Sequence, residues 1–334
     1  MIRWVGLGLL LGVSPILAAD RVSPALMAEI KRLSSDIAQL AGEFNRESTV
    51  VVPSRPVAVP TINRSTYGYK LVRKVGDFGS IRYHFNGPAG VAVDARSILV
   101  ADRGNGRVIK LDHSLTQWDE IRIRDEADYA LDSPTGVAVA GSTIWVADTH
   151  NNRLVRFGYD GNYGSQLGKL GIGSGEFDSP VAVLQTRRNE LFVVDQRNHR
   201  VQRLAVDGSF IAEFGAMGGD NQLRRPVDID IVQDTWLVVA DAGANAIVMV
   251  DLDGRWIRTI TGPMGSVAGV GVDEQGMIYC ADTVNNTVWI FAIDGRCVGQ
   301  WDTPSPTDVA IWGDLLIVSD SIHNAIRTYR RTPL

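Results

Sequence analysis

The sequence carries only two cysteines in 334 residues, Cys280 and Cys297, far too few for a disulfide scaffold. It also lacks an excess of positive charge: 33 Lys and Arg against 38 Asp and Glu leave a net charge of −5, which gives no overall push toward nucleic acid. Its early apolar run, Trp4 to Leu17, is shorter than the roughly 20 residues that span a bilayer comfortably. No glycine-rich phosphate loop, nucleophile elbow or helical metalloprotease motif is present. These absences set aside single-motif enzymes, but a site assembled from scattered loops would leave no such motif. At 45% hydrophobic residues the chain can bury a sizeable core.

The start of the chain has an address. Arg3, the apolar run and the small residues Ala18 and Ala19 read as a secretory signal peptide over residues 1–19, so the expected location is secreted or periplasmic, in the cell envelope. Leu17 is large for the third position before a cut after Ala19, which leaves an uncleaved anchor as the alternative. Only in that case would the chain meet a membrane. Over residues 20–48 an amphipathic helix is expected, because Leu26, Ile30, Leu33, Ile37, Leu40 and Phe44 alternate spacings of four and three. Ser23 and Pro24 suit its N-cap and first turn. Isoleucine at a and leucine at d favour a parallel dimer through residues 24–45, while docking of a short helix on a larger surface fits equally well. Residues 49–66, with Pro53, Pro56 and Pro60 among valines, suit an extended linker.

What is abundant is repetition. Modules begin at Pro88, Pro134, Pro180 and Pro226, 46 residues apart, and two more begin at Val267 and Pro306. The first shows the plan: an inner strand over Gly90 to Asp94, then strands Ile98 to Asp102, Val108 to Leu111 and Trp118 to Ile123, with Gly104-Asn105-Gly106 as a turn. Every second strand ends in aspartate, at Asp102, Asp148, Asp195, Asp241, Asp282 and Asp320. A four-stranded repeat of roughly 40–45 residues predicts propeller blades, each burying its faces against its neighbours. The two cysteines fall on the second and fourth strands of blade five, two strand spacings or roughly 9–10 Å apart, which predicts free thiols.

The runs Pro134-Thr135-Gly136-Val137-Ala138-Val139, Ile144-Trp145-Val146-Ala147-Asp148 and Asn151-Asn152-Arg153-Leu154 closely resemble the NHL repeat, and the resemblance extends from Pro88 to the C-terminus. It implies an all-β, six-bladed β-propeller. The departures are Asp228 and Asp308 where glycine is usual, and Ala246, Thr287 and Ala325 where arginine is usual. The sixth copy has strands at Val309 to Trp312, Leu315 to Ser319 and Ala325 to Tyr329, and then ends without a fourth strand. Tyr69 to Val75 looks like the fourth strands of other copies, so residues 67–79 are expected to complete the last blade of a propeller spanning 67–334 and so remove free sheet edges.

Candidate site residues are expected on one rim, where the turns after second strands meet the turns entering inner strands. Four histidines map there, His84, His150, His199 and His323, and imidazoles ligate Zn²⁺; the competing reading makes His199 and His323 replacements for turn asparagines. Asp228 and Asp308, with Asp230 on the same face, could supply oxygen ligands to Ca²⁺, or could instead cap backbone amides nearby. A cofactor of this chain, if it takes one, is thus Ca²⁺ or Zn²⁺. Arg107, Arg153 and Arg200 fit an arginine-to-aspartate lattice between blades, which leaves Arg103, Arg197, Arg224 and Arg225 as a basic sector for an acidic protein or anionic glycan. Tyr83, Phe85, Tyr129 and Phe177 gather beside it as binding aromatics, with Phe85 and Phe177, just ahead of their prolines, equally suited to plug gaps between blades.

The leading expectation is a binding or scaffolding module of the cell envelope. Some NHL domains bind RNA through such a rim, but a secreted chain would not meet it. The alternative is a metal-dependent enzyme resembling the peptide-amidating lyases, gluconolactonases or strictosidine synthases. The lyase resemblance implies a zinc held by histidines and a calcium in the channel. Only generic blade residues match those groups, so no catalytic residue is assigned.

Overall fold

The computed structural model describes residues 67–76, 84–122, 130–216, 218 and 221–333. The expected signal peptide, helix and linker lie outside these residues, as do Tyr83, Tyr129 and positions 77–79 of the closing segment.

Twenty-four strands, numbered β1 to β24 in chain order, make six antiparallel four-stranded sheets among the described residues. Blade one consists of β2 (Pro88–Val93), β3 (Ile98–Asp102), β4 (Arg107–Leu111) and β5 (Trp118–Ile121). The inner strands of the later blades start at Pro134, Pro180, Pro226, Val267 and Pro306, the residues that head the repeats. Each inner strand packs on the next, and the sixth packs on the first, so the sheets close a ring around a channel.

The second strands read Ile-Leu-Val-Ala-Asp or a variant of it because both of their faces are covered. Ile98 to Asp102, for example, is buried at every position. Six apolar clusters result, one between each pair of neighbouring blades; Phe85 sits in the wedge between blades six and one, and Phe177 in that between two and three. Both aromatics therefore plug blade interfaces and do not line a binding surface.

Blade six takes its outer strand from the other end of the domain. β1 (Tyr67–Val75) pairs antiparallel with β24 (Ala325–Pro333), from Tyr67 opposite Pro333 to Val75 opposite Ile326. This is the closure the truncated sixth copy predicts, and it joins residues far apart in sequence. Tyr69 then stacks on Trp301 of blade five, with ring centroids 4.3 Å apart. Cys280 and Cys297 are free, on the second and fourth strands of blade five; burial pushes the Cys280 thiol well above its ordinary range.

Candidate functional site

The rim is built by a turn that recurs in every blade. The aspartate ending each second strand is wholly buried, and in the first five blades its carboxylate accepts backbone N–H groups from the loop entering its own inner strand. In blades one to three an arginine completes the arrangement: Arg107, Arg153 and Arg200 donate from Nε to Asp102, Asp148 and Asp195 at 2.7, 2.7 and 2.8 Å. The same guanidinium groups reach the entry loop and outer strand of their own blade, as Arg200 does to Gly173 and Glu213. The arginine lattice therefore works within blades, where the sequence had suggested contacts between them.

Links between blades come from the residue that closes the turn. It has a left-handed backbone, φ near +50 to +60°, at Gly106, Asn152, His199, Asn245, Asn286 and Asn324. Glycine and asparagine tolerate that conformation better than most residues. The amide oxygens of Asn152, Asn245, Asn286 and Asn324 accept backbone N–H groups from the loop entering the next blade. His199 occupies this staple position, with Nδ1 on the carbonyl of Arg224 at 2.5 Å. His323 occupies the preceding asparagine position and holds Asp320, as Asn105, Asn151, Asn198 and Asn285 hold their own aspartates. Both histidines are thus substitutes for turn asparagines. His84 lends its carbonyl to Asn105 and Arg107. His150 is exposed, 3.3 Å from Asp132. Among the described residues no three of His, Cys, Asp and Glu converge as a metal-holding group.

A second recurring device sets the floor. In every blade the inner strand is bulged just after its first residue, as between Pro226 and Asp228 and between Pro306 and Asp308. Proline has no N–H to lose from the ladder there, so a bulge beside it is inexpensive. The third residue then faces the next inner strand at close range. A Cβ on Gly90 would lie 2.4 Å from the carbonyl of Thr135, which explains glycine at that step. Asp228 and Asp308 use the step differently. Asp228 accepts the N–H of Val270 at 2.8 Å, and Asp308 that of Val91 at 2.8 Å. Asp230 accepts the N–H of Val272 at 2.7 Å.

These carboxyls meet. A Cβ on Gly269 would lie 2.6 Å from Asp308 Oδ1, and the adjacent Val270 N–H serves Asp228, so the two acids flank one dipeptide. Burial pushes both above the usual carboxylate range, and for Asp228 the charge of Asp308 adds to the effect. Burial likewise pushes Asp230 up to about 7, against the opposing hydrogen bonds from Ile231 and Val272. The expectation that these carboxyls cap nearby amides is met, with the amides supplied by neighbouring inner strands instead of turns.

Above the pair the rim opens into a cavity of about 570 Å³, walled by Arg103, His150, Arg197 and Leu170 and floored by Asp228 and Asp308. Below it a channel of about 240 Å³ continues, lined by apolar inner-strand residues and Asp230. Of the basic sector, Arg103, Arg224 and Arg225 have guanidinium groups with no side-chain or carbonyl partner among the described residues, and Arg197 is 71% exposed with Asp178 3.7 Å away. Arg224, Arg225, His84, His199 and His323 do not line the cavity. The sequence comparison missed one arginine: Arg327, two places beyond the usual position, reaches Asp320 in blade six, and Trp289 does so for Asp282 in blade five. The signal was there at a spacing of seven instead of five.

Six bulged, four-stranded sheets around a channel, closed by an N-terminal strand, define a six-bladed β-propeller with an open cavity at one rim. The family model for the NHL repeat matches residues 85–111 and 131–157, the first two blades, and the other four repeat their plan. The chain is an NHL-repeat propeller. No curated protein matches it in sequence. Among solved structures it is similar to a gluconolactonase from Xanthomonas campestris, with 18% identity, a TM-score of 0.60 and coverage of 75% of this chain and 88% of that one. It is also similar to a virginiamycin B lyase from Staphylococcus aureus, with 14% identity, a TM-score of 0.57 and coverage of 80% and 89%. A third is the hydrazine synthase of Kuenenia stuttgartiensis, at 11% identity, a TM-score of 0.55 and coverage of 75% and 97%. At these identities the likeness is one of fold, and three unlike chemistries on one fold show how little fold alone says about reaction.

Proposed function

We propose that this chain is a secreted or periplasmic binding module whose rim cavity receives an anionic partner, a protein or a glycan. One observation carries the reading: on the wall of the cavity Arg103 has no side-chain partner among the described residues and Arg197 is exposed with only a 3.7 Å pair to Asp178, whereas Arg107, Arg153 and Arg200 are consumed by the fold. Exposed cations that the fold does not lock in place are available to a ligand in a concave site, and they also raise its encounter rate. The segment 24–45 adds assembly, either as a homo-oligomer or onto a larger partner. The test is recovery of partners from native envelope extract by the full chain and by Arg103→Glu/Arg197→Glu. Charge reversal should abolish the retained set; an unchanged set would remove the rim from the interaction. Equal oligomer size with and without residues 20–48 would remove the self-assembly part.

A second reading, a metal-dependent enzyme, draws on a different observation, the carboxyls of Asp228 and Asp308 at the cavity floor. It calls for Ca²⁺ or Zn²⁺. Metal analysis of purified protein separates the two readings: a stoichiometric metal lost in Asp228→Asn/Asp308→Asn favours the enzyme, and metal-free protein favours the module.

A further inference from the structure

The cavity joins two chemistries that a plain anion site would keep apart. Its upper wall carries Arg103 and Arg197, the latter 3.7 Å from Asp178 of the same wall, beside the exposed imidazole of His150. Its floor is a pair of carboxyls, Asp228 and Asp308, about nine-tenths buried in the case of Asp308. A densely charged chain such as an acidic peptide would satisfy the wall and then press further negative charge toward the floor. A neutral polyol would satisfy the floor and leave the arginines unused. The ligand that fits both ends carries one carboxylate and, a few ångströms away, several hydroxyl groups that can donate to and accept from carboxyl oxygens.

We propose that the rim cavity binds the end of an acidic saccharide, a chain of uronic acid residues, with its carboxylate between Arg103 and Arg197 and its hydroxyls on Asp228 and Asp308. This rests on the reading of the rim as an anion site and narrows its ligand to one class. Three features support it independently. The volume, about 570 Å³, is that of a small-molecule site and too narrow for a folded partner to enter. Leu170, 63% exposed on the wall, offers an apolar edge to the C–H face of a sugar ring. The carboxyls are fixed in place before any ligand arrives, by the N–H groups of Val270 and Val91, so ordering them costs a ligand nothing further. Burial disfavours the ionised form of both carboxyls, which lessens their repulsion of a sugar acid.

The experiment is calorimetric titration of the full chain with three probes of similar length: an oligogalacturonate, a neutral maltooligosaccharide and an oligo-glutamate. The oligogalacturonate should bind and the other two should bind at least about tenfold more weakly, a difference of about 1.4 kcal/mol. Arg103→Gln/Arg197→Gln, both exposed positions where folding is safe, should lose the oligogalacturonate by a similar factor. Equal or tighter binding of oligo-glutamate would overturn the saccharide while leaving the anion site standing. Equal binding of the maltooligosaccharide, or binding indifferent to Arg103→Gln/Arg197→Gln, would overturn the role of the cationic wall. Failure of both anionic probes would overturn the inference and the anion-site reading together.

Discussion

Blades one to three and blades four to six share a backbone plan and differ in how they satisfy a buried aspartate. In the first group an arginine on the third strand neutralises it and ties the blade's outer strand and entry loop to the same point. In the second, Asp241 accepts four backbone N–H groups, from Arg224, Arg225, Gly243 and Ala244, with no cation. Asp282 takes the indole N–H of Trp289, and Asp320 takes Arg327. The backbone of the turn is therefore the invariant requirement, and the arginine is one of several ways to meet it. The inner strands divide differently: blades one, two and five have glycine at the crowded step, at Gly90, Gly136 and Gly269, blade three has Ala182, and blades four and six have the carboxyls of Asp228 and Asp308.

The largest effect should come from breaking the closure that both groups depend on. Without residues 67–76, β24 becomes an open edge beside blade five, and the Tyr69–Trp301 stack is lost. A ring whose blades bury their faces only against each other has no independent core to fall back on, and a bare edge invites pairing between molecules. The truncated protein should lose its cooperative melt, or melt well below the full chain and aggregate. An unchanged melting curve would show that β1 is decorative.

Next in size is Arg153→Ala. Arg153 and Asp148 are both buried, and burial already pushes the Asp148 carboxyl upward. Removing one partner of a buried pair leaves the other uncompensated and costs about 3–5 kcal/mol. Blade four sharpens the contrast, since Asp241 stands without a cation and there is no arginine to remove. Chemical denaturation of Arg153→Ala should show the loss. A cost under about 1 kcal/mol would mean that backbone amides suffice in blade two as they do in blade four.

The ring itself was legible in the sequence because its determinants are local and repeated: the leading proline, the apolar second strand, its terminal aspartate and the residue that tolerates φ near +50°. The closing strand was legible for the same reason, since a missing copy of a repeated element points to a donor. Contacts that depend on register were not. Whether Arg107 acts within or between blades depends on which carbonyls face it, and Arg327 escaped notice because a position two residues later on the same strand face reaches the same aspartate. The meeting of Asp228 with Asp308 was only half visible. Both acids stand out as departures from glycine, but their separation across the ring follows from the bulges, which no residue pattern encodes by itself.

The channel acids make a prediction of moderate size. An unfolded aspartate titrates near 3.9, while Asp230 in the folded chain is pushed up to about 7 by burial. Below about pH 4 the group is protonated in both states. As pH rises toward 7 the unfolded chain releases the proton first, so the folded state loses stability across that window. Asp230→Asn forfeits one acceptor, because Ile231 and Val272 each donate to a different oxygen, and so starts from a lower stability. Its deficit relative to the parent chain should nevertheless shrink between pH 5 and pH 8. Parallel melting temperatures across that range would mean that Asp230 is ionised throughout.

The smallest effect belongs to the histidines, and it decides what the rim is for. His199 and His323 stand where other blades have asparagine: His199 keeps the left-handed backbone of its position and donates from Nδ1 to the carbonyl of Arg224, and His323 holds Asp320 as the asparagines at its position hold their own aspartates. At position 199 asparagine adopts the left-handed conformation readily, and at position 323 its side chain reaches the aspartate as Asn105 and Asn151 do. His199→Asn and His323→Asn should therefore change stability by no more than about 0.5 kcal/mol, as surface substitutions away from special features do. They should also leave any ligand of the cavity unaffected, since neither side chain lines it. Loss of a ligand or a metal in either variant, with the melt unchanged, would return the histidines to the site and shift the functional centre from the Arg103 and Arg197 wall toward blades three and six.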